Sequence, residues 1–169
     1  MKRTRWPGWL TAAIVCASCG SGSHPTAASP APAGQAAFTA SVERACATAV
    51  RQHTGHPFPV ASFDPEHPQP DVLPQVGDYL ARYGNPSAVI TALHALTPPA
   101  GITTQWENLL RLLDQAAANA HHQITAARTR DVSGFARTAV TARQLSSQIN
   151  AAASAIGLSK ASSCEQVFG

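Results

Sequence analysis

The chain is 169 residues long and carries Lys+Arg 12 against Asp+Glu 9, a formal net charge of +3. Three of those bases, Lys2, Arg3 and Arg5, open the sequence, so beyond residue 18 the count is 12 − 3 = 9 bases against 9 acids. A face that neutralises phosphates needs clustered Lys and Arg; no cluster follows, which excludes nucleic acid from the expected partners.

Residues 1–18 have the layout of a secretory leader, a positive start (MKRTRWPGW) followed by the uncharged, largely apolar run LTAAIVCAS. A helix needs about 20 apolar residues to cross a bilayer, and the stretch from Trp6 to Ser18 falls short, so removal is expected and retention as a span is not. Cys16 and Cys19 stand at C-x-x-C spacing, but a reactive or metal-binding pair needs a folded scaffold that lowers a thiol pKa or aims both sulfurs at one ion. None surrounds them. The region instead resembles the lipobox of bacterial lipoproteins. Small Ala17 and Ser18 precede Cys19, and Gly20, Ser21, Gly22 and Ser23 follow as a flexible start. The departure is Cys16, where the pattern carries an aliphatic residue; using Cys16 as the acceptor would put bulky Val15 where a small residue belongs. The resemblance implies a lipid on Cys19 and attachment to the membrane from outside. Ordinary leader cleavage further along and a functional dithiol are the alternatives.

Residues 19–37 read as a disordered tether of Gly, Ser, Pro and Ala without apolar periodicity. As a coil it would span about 25 Å, and roughly 55 Å if extended as polyproline II. His24 is a solvated linker residue.

From residue 38 to 169 the pattern predicts an all-α domain, large enough to bury a core. Alanine makes up roughly a fifth of the chain, well above ordinary usage, and no run alternates with the period of a strand. A first helix over Thr39 to His53 gathers Val42, Ala45, Cys46, Ala49 and Val50 on one stripe, and Gly55 with Pro57 ends it. A second helix runs from Val72 to Tyr83, with Asp71 as its expected N-cap and Gly84 as its stop. Asn85 and Pro86 restart a third, carrying Val89, Ile90, Leu93 and Leu96. Thr104 and Glu107 have the spacing of a capping box and open a long helix with Trp106, Leu109, Leu110, Leu113, Ala117, Ala120, Ile124 and Ala127 inward. A last helix starts near Asp131 or Ser133, buries Phe135, Ala139, Ala142, Leu145, Ile149, Ala152 and Ile156, and ends at Gly157 and Leu158 in a Schellman stop.

Short connections at Thr97 to Thr103 and Arg130 to Ser133 predict an up-and-down four-helix bundle whose second arm is broken into two short helices. That topology returns the end of the fourth arm to the start of the first. Cys46, about 10 Å into the first arm, then comes within reach of Cys164 on the tail. A Cys46–Cys164 disulfide is the expected closure, since these two cysteines remain once Cys19 is acylated and export permits oxidation. Two free thiols are the alternative.

The leader, the tether, the early helical cysteine in RACATAV, the LTPPA turn before a Trp-containing helix and the ending AIGLSKASSC together resemble small secreted or lipid-anchored helical proteins of high-GC Gram-positive bacteria. The resemblance covers nearly the full chain. It implies fold, disulfide and location, and it brings no activity with it.

No nucleophile-elbow, zinc-protease, Walker or dinucleotide glycine motif is present, and the acids Glu43, Asp78, Glu107, Asp114 and Asp131 fall at caps and off-stripe positions. The expectation is a non-enzyme without a cofactor. One segment does not read as scaffold: HTGHPFPVASFDPEHPQPD, residues 53–71. Its length is that of loops that are functional or disordered. His53 and His56 at H-x-x-H spacing could join His67 or a carboxylate around zinc or copper. Alternatively the prolines stiffen a surface connection that Phe58 and Phe63 pin to the bundle, and the histidines are solvated. His121 and His122 point about 100° apart on one helix and suit solvated positions; His94 borders an apolar stripe, and Trp106 suits the core. The functional expectation is a lipid-anchored extracytoplasmic binding or interaction module, with metal binding by the 53–71 loop and an enzyme of unfamiliar type as alternatives.

Overall fold

The computed structural model describes residues 33–158 and 163–164. The leader, Cys19 with its expected lipid, His24 and the tether to residue 32 lie outside the described residues. Within them the protein is all-helical. Five helices, α1 (Ala33–His53), α2 (Leu73–Tyr83), α3 (Ser87–His94), α4 (Thr103–Arg128) and α5 (Val132–Ala155), form four arms, with α2 and α3 making up the broken second one.

α1 starts at Ala33, inside the stretch read as tether to residue 37. Ala33, Ala36 and Ala37 carry the best intrinsic helix propensity, which outweighs the roughly 1 kcal/mol cost of Gly34 once Phe38 is anchored in the core. Two expected caps do not form. α2 begins behind Val72 with no side-chain cap, so Asp71 does not serve as one. The Thr104–Glu107 capping box is absent because a 3-10 turn over Ala100–Ile102 leads directly into α4, leaving Thr104 inside the helix. The chain entry is bonded instead through Ile102 N–H to the Pro99 carbonyl at 3.0 Å. Asn85 does act at the α3 start, its Oδ1 accepting from the Ser87 N–H at 3.0 Å.

Three residues, Thr129 to Asp131, turn α4 into α5. Asp131 N–H reaches the Ala126 carbonyl at 2.8 Å and Arg130 N–H the Ala127 carbonyl at 3.2 Å, a Schellman closure with Arg130 at φ 57°. Asp131 then caps α5, accepting from the Gly134 N–H at 2.8 Å and the Ser133 hydroxyl at 3.0 Å. Those two bonds, with the more distant charge of Arg137, hold its carboxyl below the ordinary value of 3.8. α5 ends as predicted: Gly157, at φ 81°, donates to Ser154 and Leu158 donates to Ala153, both at 3.1 Å.

α4 runs antiparallel to α5 along their length and meets the second arm on its other side. The register shows in side chains: Asp78 of α2 pairs with Arg128 near the end of α4, and His94 at the end of α3 pairs with Asp114 in its first half. Because α4 is covered from two directions it buries Leu112 and Ala126 as well as Trp106, Leu109, Leu113, Ile124 and Ala127, while Leu110 is only half-buried. A single-stripe reading is too narrow for a central helix.

Two core clusters result. The larger joins Phe38, Val42 and Cys46 of α1 with Val89, Ile90 and Leu93 of α3, Trp106, Leu109, Leu112 and Leu113 of α4, Leu145, Ile149 and Ala152 of α5, and Ile156 at its end. Phe38 meets Trp106 edge to face at 4.9 Å. The smaller cluster fills the other end with Phe63, Leu73, Val76, Ala126, Ala127 and Phe135. Each fully buried Val, Leu, Ile or Phe among them contributes about 1.5–3 kcal/mol. A Cys46–Cys164 disulfide with Cα atoms 4.9 Å apart ties the C-terminal tail to α1, and both cysteines are buried. Beside it the Ser163 N–H donates to the Glu43 carboxylate at 3.1 Å.

Candidate functional site

Residues 54–72, the segment between α1 and α2, carry the side chains with most chemical capacity. Thr54 closes α1, its N–H and hydroxyl both donating to the Val50 carbonyl at 3.0 and 2.8 Å, and Gly55 at φ 92° turns the chain away. The His56 carbonyl then accepts from the Tyr79 hydroxyl at 2.8 Å, and its ring stacks on Tyr83 with centroids 4.0 Å apart. Ser62 takes the left-handed conformation, φ 57°, and the chain next to it delivers Phe63 into the core.

Phe63 is the hinge pin of the segment. It lies between Phe58 at 5.4 Å and Phe135 of α5 at 5.7 Å, and Phe58 in turn meets Tyr79 at 5.1 Å. Each such aromatic pair adds about 0.5–1.5 kcal/mol beyond buried area. Farther along, Glu66 is ion-paired with Arg143 of α5, and buried Pro68 leads into α2. The segment therefore runs over the surface and is anchored to the smaller core cluster through Phe63, with Phe58 and Val60 partly buried beside it. Phe58 and Phe63 pin it, as one of the two sequence readings has it.

The metal reading finds no such convergence. His56 is placed on Tyr83. His67 turns back to its own neighbour, its Nδ1 3.1 Å from the Asp64 carboxylate, while Asp64 also accepts from the Glu66 and His67 N–H groups at 2.9 and 3.3 Å. The His53 side chain lies outside the described residues. Among the described residues no three His, Cys, Asp or Glu side chains come together as ligands would. The reason is the chain path: an Asx-type turn at Asp64 folds residues 64–67 on themselves, and the aromatic pair with Tyr83 takes His56 elsewhere.

The remaining titratable residues are distributed one by one. His94 Nε2 lies 2.9 and 3.2 Å from the two Asp114 oxygens, an α3–α4 tie the sequence reading left as a boundary residue. Asp78 holds Arg128, Asp131 caps α5, and His121 and His122 are exposed. Trp106 is buried core. The feature sequence reasoning missed is the continuous aromatic line His56, Tyr83, Tyr79, Phe58, Phe63, Phe135. Its signal was the i, i+4 spacing of Tyr79 and Tyr83 on the face of α2 that the incoming loop needs. Comparison with protein-family models, with curated proteins and with solved structures finds no match to this chain.

Proposed function

We propose that the chain is a lipid-anchored extracytoplasmic protein that displays a disulfide-closed helical bundle at the cell envelope as an interaction module, not as an enzyme. The observation that carries this reading is the Cys46–Cys164 bridge. Such bonds persist in oxidising spaces outside the cytoplasm, and this one uses the two cysteines that remain after a leader ending at the lipobox-like Cys19. The membrane is then the first partner, reached through the lipid. The 54–72 segment, packed into the bundle end by its aromatics, supports a rigid surface in preference to a mobile lid.

The test is metabolic labelling with a fatty acid analogue in cells making the wild type and Cys19→Ser. Label on the wild type only, with the wild type in the membrane fraction and processing blocked by an inhibitor of lipoprotein signal peptidase, is the expected result. An unlabelled wild type recovered in the cytosol with reduced thiols overturns the reading. Crosslinking on intact cells followed by capture of the anchored protein would then identify what it touches.

A further inference from the structure

Between the last turns of α4 and the first half of α5 lies an open groove of about 330 Å³. Both walls carry threonines: Thr125 of α4 and Thr129 at its C-terminal cap, and Thr138 and Thr141 of α5. All four hydroxyls donate within their own helix, to the carbonyls of His121, Thr125, Phe135 and Arg137 at 2.9, 3.0, 2.7 and 3.0 Å. Their protons are thus committed to the backbone, and what remains available is oxygen lone pairs. The walls of the groove are therefore acceptor-rich, and Asp131 adds a carboxylate at one end.

Arg137 supplies the opposite character. It is exposed on the groove wall and, unlike Arg128 and Arg143, which are held by Asp78 and Glu66, it makes no direct hydrogen bond or contact ion pair among the described residues, its charge acting on the Asp131 carboxylate from farther off. A guanidinium offers five N–H donors in a fork that matches a carboxylate. Asp131 shares the groove and is itself bonded to the Gly134 N–H and the Ser133 hydroxyl. Its negative charge, which already interacts with that of Arg137, disfavours a dianion such as phosphate and limits the groove to at most one further negative charge, seated directly on the Arg137 guanidinium. A ligand that satisfies Arg137, Asp131 and the four threonines has one carboxylate to accept from Arg137 and several hydroxyls to donate to threonine oxygens and Asp131.

We propose that this groove binds a monoanionic, hydroxyl-rich ligand of the uronic-acid type, with its carboxylate on the Arg137 guanidinium and its hydroxyls donating into the threonine-lined walls. The assignment rests on the groove alone and does not depend on how the chain is anchored. It gives the molecule a ligand class as well as a surface.

The test is an NMR titration of the full mature protein in detergent micelles with sodium D-glucuronate, D-glucose and sodium acetate. These probes carry both features, hydroxyls alone, and a carboxylate alone. Glucuronate should saturate at a concentration at least tenfold lower than either of the others, with shifts centred on residues 122–141. Arg137→Gln should raise its Kd about tenfold, and Arg143→Gln, whose native partner is Glu66, should leave it within twofold. Thr141→Val should weaken glucuronate and leave acetate unchanged; a dispersed amide spectrum confirms that each variant is folded. Glucuronate binding no tighter than acetate, equal binding by Arg137→Gln, or no saturation at all overturns the proposal.

Discussion

Reducing the Cys46–Cys164 bond should cost this protein a large part of its stability. The bridge spans a sequence separation of 118. In the chain-entropy description a loop of that length removes close to 16 cal/mol/K from the unfolded ensemble, about 5 kcal/mol at room temperature. Domains of this size are stable by roughly 5–15 kcal/mol in total, so the reduced protein is left marginal. Substituting the cysteines would add a second effect, a small void at the buried Cys46 worth about 1 kcal/mol, so reduction of the wild type is the cleaner perturbation. The assay is urea unfolding followed by circular dichroism, with and without a phosphine reductant. At an m-value of about 2 kcal/mol/M, the midpoint should fall by roughly 2–3 M. A tryptic digest without reductant should contain ACATAVR linked to ASSCEQVFG. A midpoint that moves by less than about 0.3 M, which at that m-value is under roughly 0.6 kcal/mol, with the linked peptide present, would refute the loop-entropy reasoning. Absence of the linked peptide would refute the bridge itself.

Further outcomes follow from local geometry. Phe63→Ala should destabilise by about 3–5 kcal/mol, because Phe63 is buried between Phe58 and Phe135; a loss under about 1 kcal/mol in urea unfolding, far below the cost of truncating a core aromatic, would show the 54–72 segment to be a surface flap. A Cβ at Gly77 would lie 3.0 Å from the Ala127 Cβ and 3.2 Å from the Arg128 backbone nitrogen, so Gly77→Ala should lower the melting temperature despite a helix-propensity gain of about 1 kcal/mol. Gly34→Ala, with open space around it, should raise or hold it. Arg130→Gly should stabilise by about 1 kcal/mol by relieving the left-handed backbone at φ 57°, read as an upward shift in melting temperature. Asp131 has its folded carboxyl pKa depressed by the cap bonds, so its contribution is fully present above the ordinary value of 3.8 and is lost as pH falls through the lower folded value. The melting-temperature gap between the wild type and Asp131→Ala should accordingly narrow as acid is added, and a gap independent of pH would contradict the cap.

Sequence alone determined the all-helical class, the four arms, the stops at Gly55 and Gly157, the Asp131 start of α5 and the pairing of Cys46 with Cys164. Those features are governed by groups within about four residues of one another, or by the order of arms that short connections impose, so they are decided before distant segments meet. Only the tertiary structure decided that α1 begins in the supposed tether, that the Thr104 box goes unused, and that α4 buries two faces. It likewise decided that His56 and His67 part company while Phe63 of the 54–72 segment enters the core. Each of those depends on which surface another segment covers: a free helix end, a side-chain stripe or an imidazole has several local options of nearly equal energy. Packing against Phe135, Tyr79 and Trp106 selects among them, and helical periodicity carries no record of which segment will arrive.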